Sequence, residues 1–228
     1  MLRLAQKWRV LDRIPRIHLL RGERNREFVL SRDQEGIYLE FCPQTLHDIA
    51  ILMLDTGLGP GEALSLQWRD VHHGLLHVRD GKTRYRARNV NLTTRVSAMI
   101  ERRKRDSTSD FAFADGKEKP LLPSSLAHQH ARVRQKFKLP REFVLYSLRH
   151  TALTRLGENG ADAFTIMRIA GHSSVTTSQR YVHPSSETVA LAIGRLDTAN
   201  QQALKRSADG KRTDTRTDTV LALPPVSY

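Results

Sequence analysis

The first 28 residues show no sustained apolar period, and the proline of "RIPRI" works against a helix, so they read as an extended basic lead-in. From Ser31 the pattern turns helical. Ser31 is suited to cap a helix running to about Cys42, with Asp33 and Glu35 in the first turn, where the helix dipole favours acids. Residues 44–55, "QTLHDIAILMLD", are so rich in apolar side chains that they predict a buried helix. In "TGLGPGEALSLQW" Gly59 can cap, Pro60 suits the first helical position and Glu62 falls near the third.

Between Trp68 and Leu92 the period changes. "LLHVRDGKTRYRARNVNL" alternates and carries "DG" between two runs, which predicts a hairpin turning at Asp80 and Gly81, with Lys82 starting the returning strand. Helical patterns resume at 93–104, 124–137, 146–158, 163–170, 174–182 and 185–204. Leu148, Ala152 and Leu156, four apart, aim one of these helices at the core and leave Arg149 near its N-terminal end. The segment "KRSADGKRTDTRTDTV" is polar and aperiodic, and predicts a flexible tail. The expected fold class is mainly α with a small antiparallel β-sheet (α+β). It divides into a lead-in over 1–28, one folded domain over 29–204 and a tail over 205–228.

Charge narrows the picture. With 228 residues the chain is long enough for a substantial core, and a net charge of +13 argues for a polyanionic partner. Nucleic acid is the first candidate; ribosome-type RNA binding and an anionic membrane surface share the signature. One cysteine, Cys42, excludes an internal disulfide, and no apolar run reaches the length of a signal peptide core or a membrane span. "ERRKRD" at 101–106 reads as a solvated helix end, and "HQH" at 128–130 lacks the spacing of a metal site, so no metal is assigned.

Candidate chemistry gathers in the last third. Tyr181 lies in "GHSSVTTSQRYVHP" without the Leu, Ile and Val company of a core tyrosine, which suggests that its phenol is presented to something. "LRHT", then "GHSS", then "RY" within about 35 residues resembles the catalytic domain of the tyrosine recombinases, the phage integrase family. The resemblance takes in "TGLGPGEALSLQW", the "GKT" hairpin and "YSLRHT", over roughly residues 28 to 195. It implies the catalytic-domain fold of that family. It also implies an enzyme that breaks and rejoins DNA through a 3′-phosphotyrosine, without metal or nucleotide cofactor.

On that resemblance Tyr181 matches the nucleophile, Arg149 the second arginine of the phosphate clamp and Lys82 the general acid for the leaving oxygen. His172 matches a phosphate hydrogen-bond donor and Glu62 an acid that orients the site; His150 reads as structural. Cationic donors are the right chemistry, because charge builds on the phosphate oxygens in the transition state. Two positions depart from the pattern. Gly59 stands where the family has its first arginine, and Tyr146 stands where a histidine is usual, three residues before Arg149. Loss of one transition-state donor costs about 10² to 10³ in rate. The rival expectation is therefore a catalytically inactive DNA-binding relative with an accessory or regulatory role. Relatives also carry a helical DNA-clamping domain ahead of the catalytic one, where this chain has its short lead-in. Implied partners are double-stranded DNA and, on paired sites, a tetramer of chains that are monomeric when free. No membrane is implied, and the setting is cytoplasmic, prokaryotic or phage-derived, with association to the nucleoid.

Overall fold

The computed structural model describes residues 2–10, 12–13, 28–79, 87–182 and 186–213. Its first element, α1 (Leu2–Lys7), is a short helix where an extended lead-in is expected. "LRLAQK" contains good helix formers and no proline, so local propensity wins there. Helix α2 (Arg32–Phe41) begins as predicted: Ser31 Oγ accepts from the Gln34 N–H at 3.2 Å, and the Gln34 side chain accepts from the Ser31 N–H at 3.0 Å.

Helix α3 (Gln44–Thr56) is the centre of the core, with Leu46, Ile49, Ala50, Leu52 and Met53 fully buried. The short helix α4 (Pro60–Leu64) follows with Gly59 as its N-cap and Pro60 at its start. A 3₁₀ turn (Trp68–Asp70) leads into a three-stranded antiparallel sheet of β1 (Val71–His72), β2 (Leu75–Val78) and β3 (Arg88–Asn91), in the order β1-β2-β3. Val78 pairs with Arg88 and Leu76 with Val90, whereas the expected two-residue turn at Asp80 and Gly81 would set Val78 against residue 83, so the antiparallel pairing is as expected but its register is not. The turn itself, with Asp80, Gly81 and Lys82, lies outside the described residues.

Five helices complete the fold: α5 (Thr94–Arg105), α6 (Pro123–Lys136), α7 (Leu145–Glu158), α8 (Ala163–Ala170) and α9 (Val175–Gln179), before a last helix, α10 (Ser186–Thr213). Helix α7 packs along α3 and buries Leu148 and Ala152, as their spacing predicts. A second, smaller apolar cluster of Leu153, Ile166, Ala170 and Tyr181 joins α7 to α8 and the segment after α9.

Several expectations change. Helix α9 stops at Gln179, so Tyr181 sits in the turn beyond it, its N–H bonded to the Ser178 carbonyl at 3.0 Å. Helix α10 continues to Thr213, nine residues into the expected tail; polar residues without an apolar stripe can still propagate a started helix. "ERRKRD" is not wholly solvated, because Arg102 and Arg103 turn onto the buried carboxylate of Asp48. Of "HQH", His130 is a core residue held between the Tyr38 hydroxyl at 2.8 Å and the Phe143 carbonyl at 3.0 Å.

Candidate active site

The site is built where two helices end. Helix α3 stops at Gly57 and α8 at Gly171, which takes the left-handed conformation (φ 67°) that glycine adopts without strain. A helix C-terminus leaves carbonyls without intrahelical partners and carries the negative end of the dipole, so it suits a guanidinium. Arg149, one turn into α7, uses both ends: Nη1 donates to the Gly57 carbonyl at 2.8 Å and Nη2 to the Ala170 carbonyl. Only 5% of Arg149 is exposed, and its Nε has no hydrogen-bond partner among the described residues. Burial is the main influence on this guanidinium and lowers its pKa, partly offset by Tyr146 and Glu62.

A second arginine lies beneath it. Strand β3 turns Val90 and Arg88 to the inner face and Asn89 and Asn91 outward, so its alternation carries a charge into the core. Arg88 Nη1 and Nη2 donate to the two oxygens of Glu62 at 2.7 and 3.0 Å, and Nε donates to the Ile169 carbonyl. The Glu62 carboxylate also accepts from the Gly59 N–H at 2.8 Å and from Arg149 Nη1 at 3.4 Å. Burial works against this carboxylate, but the hydrogen bonds and charge of Arg88, the Gly59 N–H and the charge of Arg149 outweigh it and hold its pKa below the usual range.

Tyr181 is not presented on the surface as its polar neighbours suggest; it is 6% exposed, packed with Leu153, Ile166 and Ala170. Its apolar company comes from α7 and α8, remote in sequence. The hydroxyl is held by His150 Nδ1 at 2.8 Å, and the carbonyl lies so close to α7 that a Cβ on Gly157 would stand 1.9 Å from it. His150 therefore contacts the phenol directly, a role beyond the structural one expected of it. The His172 ring lies nearly parallel to that of Tyr181, centroids 6.3 Å apart, and its Nδ1 is hydrogen-bonded to Ser178 Oγ at 2.8 Å. Burial, then the charges of Arg149, Arg180 and Arg88, push His172 down to about 4, so at neutral pH it is an uncharged imidazole.

A cleft of about 780 Å³ opens beside these groups, and Gly59, Glu62, Tyr146, Arg149 and His172 line it. Tyr146 is exposed there, with its ring 5.9 Å from the Arg149 guanidinium carbon and 5.0 Å from the His150 ring. Gly59 has an ordinary extended backbone (φ −77°, ψ 159°) and itself presents no side chain to the cleft. Six of the singled-out positions, Gly59, Glu62, Tyr146, Arg149, His172 and Tyr181, thus converge, while Lys82 lies outside the described residues. Sequence reasoning missed Arg88 and Gly157 as parts of the site. Placing Val90 on the inner face would have placed Arg88 there too, two residues away; nothing local marks Gly157. No group of three His, Cys, Asp or Glu among the described residues is arranged to hold a metal ion.

Residues 30–188 match the phage integrase family. The tyrosine recombinase XerC of Pediococcus pentosaceus is 26% identical over 191 residues, covering 77% of this chain and 60% of that protein. The integrase of Escherichia phage P2 is 27% identical over 176 residues, covering 76% and 48%. The chain spans less than two thirds of the length of these curated relatives. Among solved structures, the Tn1549 transposon integrase in complex with circular intermediate DNA superposes with a TM-score of 0.68 at 20% identity, over 78% of this chain and 69% of that one. The XerH site-specific recombinase bound to its difH substrate gives 0.57 at 21%, over 72% and 53%. The helices around a small antiparallel sheet are those of tyrosine recombinase catalytic domains, and with the match covering most of its length, this chain belongs to the phage integrase family.

Proposed function

We propose that this chain cuts and rejoins double-stranded DNA at specific sites, with Tyr181 attacking a backbone phosphate to form a 3′-phosphotyrosine. The observation that carries the reading is the meeting of Arg149, His172 and Tyr181, from separate segments, beside one cleft. Arg149 contributes the charge that stabilises the crowded phosphate, and its rigid anchoring to two helix ends and Glu62 means little reorganisation at the moment of reaction. His172, uncharged, contributes a hydrogen bond rather than a second charge. Tyr146 offers a phenolic hydrogen bond at the rim, and Lys82 is assigned the leaving 5′ oxygen. The covalent link conserves the bond energy of the broken strand, so rejoining needs no nucleotide. Solved relatives described as bound to DNA support the choice of polyanion. On paired sites the assembly is a tetramer of chains monomeric in free solution, working on the nucleoid.

Gly59 favours a second reading, a DNA-binding relative that no longer cleaves, because the position matching the family's first arginine carries no side-chain donor. Incubation with supercoiled plasmid in chelator, digestion and mass spectrometry decide between them. A nucleotide on Tyr181, absent in Tyr181→Phe, supports the enzyme. Plasmid binding that falls steeply with salt, without adduct in either the chain or Gly59→Arg, supports the binding protein.

A further inference from the structure

Tyr181 poses a proton problem. A phenol holds its proton up to about pH 10, and the neutral hydroxyl is a weak nucleophile, so attack at neutral pH needs a base within hydrogen-bond reach of Oη. Of the two imidazoles beside the ring, His172 has its Nδ1 bonded to Ser178 and is pushed down to about 4, which makes it a poor acceptor. Tyr146, at the position where a histidine is usual, is itself a phenol. His150 Nδ1 stands 2.8 Å from the Tyr181 oxygen.

We propose that His150 is the general base of this site, taking the Tyr181 proton during cleavage and returning it during rejoining; this rests on the function proposed above. The pairing is built into α7. Positions 150 and 157 are two turns apart on one face, with Leu153 between them in the same apolar cluster as Tyr181. Gly157 lets the Tyr181 carbonyl approach, and that contact sets the hydroxyl against the imidazole. One helix fixes both ends of the tyrosine. In the step, the Oη–H bond breaks and its proton passes to Nδ1 as the Oη–P bond forms. The P–O5′ bond breaks, and the leaving oxygen takes a proton from the Lys82 ammonium. In the return step the 5′ hydroxyl attacks, its proton goes back to the lysine, and Tyr181 leaves with the proton from His150. Facing the pair are Tyr146 and Arg149 from α7, His172 from the α8–α9 turn, and Arg180 with its guanidinium carbon 5.7 Å from the Tyr181 ring; Arg88 from β3 acts on His172 and Arg149 beside them.

His150→Asn and His150→Ala separate a base from a scaffold, because asparagine keeps an acceptor near Nδ1 but cannot hold the proton. Adduct formation on supercoiled plasmid is expected to fall about 10²-fold or more in both variants, with plasmid affinity unchanged. The rate for the parent chain is expected to reach a plateau as pH rises, whereas that for His150→Asn is expected to keep rising as hydroxide takes the proton. Parental rate and pH profile in His150→Asn would overturn the proposal. A second measurement needs no cleavage: in ring-¹⁵N-labelled protein, Tyr181→Phe is expected to move the His150 Nδ1 resonance and titration midpoint. An unmoved resonance overturns the proton link even if the parent cuts DNA. A moved one supports the link, so absence of adduct in the parent then counts against the proposed activity alone.

Discussion

Gly59→Arg is the most direct test of what this site lacks. The backbone there is extended, so any L-residue fits without strain, and a Cβ would meet only the Glu62 carboxylate oxygen, at an ordinary 3.6 Å. Beyond it lies the cleft of about 780 Å³, ample for a guanidinium. Replacing glycine stabilises by about 0.4 to 1 kcal/mol through the unfolded chain, and crowding a third cation beside Arg88 and Arg149 opposes this, so little change in stability is expected. The rate is another matter. One preorganised donor on a transition-state oxyanion is worth about 10² to 10³, or roughly 3 to 4 kcal/mol. Covalent protein–DNA formed on labelled plasmid in chelator, resolved on a denaturing gel over time, reads that factor directly. A well-folded Gly59→Arg protein that binds plasmid normally and forms adduct no faster than its parent would refute the reasoning.

Three further outcomes follow from the same geometry. Gly157→Ala drives a methyl group into the Tyr181 carbonyl and is expected to cost about 1 to 3 kcal/mol in urea unfolding, despite alanine's better helix propensity; a stabilised variant would contradict the close approach. Glu62→Gln leaves Arg88 and Arg149 without their shared counter-charge and is expected to cost about 3 kcal/mol, with Arg88→Met in the same background recovering part of it. Acid should unfold the protein in a particular window. His172 is pushed below its unfolded value near 6.5 to about 4, so the unfolded chain takes up that proton first; the stability it contributes is complete above about pH 6.5 and lost towards pH 4. Glu62, also depressed, contributes above the usual carboxylate value and is lost as pH falls through its folded one. Melting temperature against pH checks this, and His172→Gln should flatten the slope between pH 6.5 and 4.

The fold was legible because its signals are local. Ser31 as a cap, Pro60 after Gly59, and the stripe of Leu148, Ala152 and Leu156 at intervals of four each act within a turn or two, and each appears where expected. The site was legible where motif and position coincide, as at Arg149, His172 and Glu62. What escaped depends on neighbours brought from afar. The polar flanks of Tyr181 gave no hint of Leu153 and Ile166, and His150 looked structural until Tyr181 met it from 31 residues away. Arg88 escaped as a site residue because the Glu62 carboxylate and the Ile169 carbonyl that receive its guanidinium come from elsewhere in the chain. Helix α10 outran its expected end because helix extension needs no apolar face.

Arg149 and the rest on which Tyr181 leans belong to one rod, α7, so the spacing between cation and phenol is inherited from helical rise rather than from loops. Bending elsewhere in the domain carries the two together and leaves their mutual placement intact. Moving Tyr181 away from Arg149 would break its contacts with His150 and Gly157 on that rod and with Ile166 and Ala170 of α8.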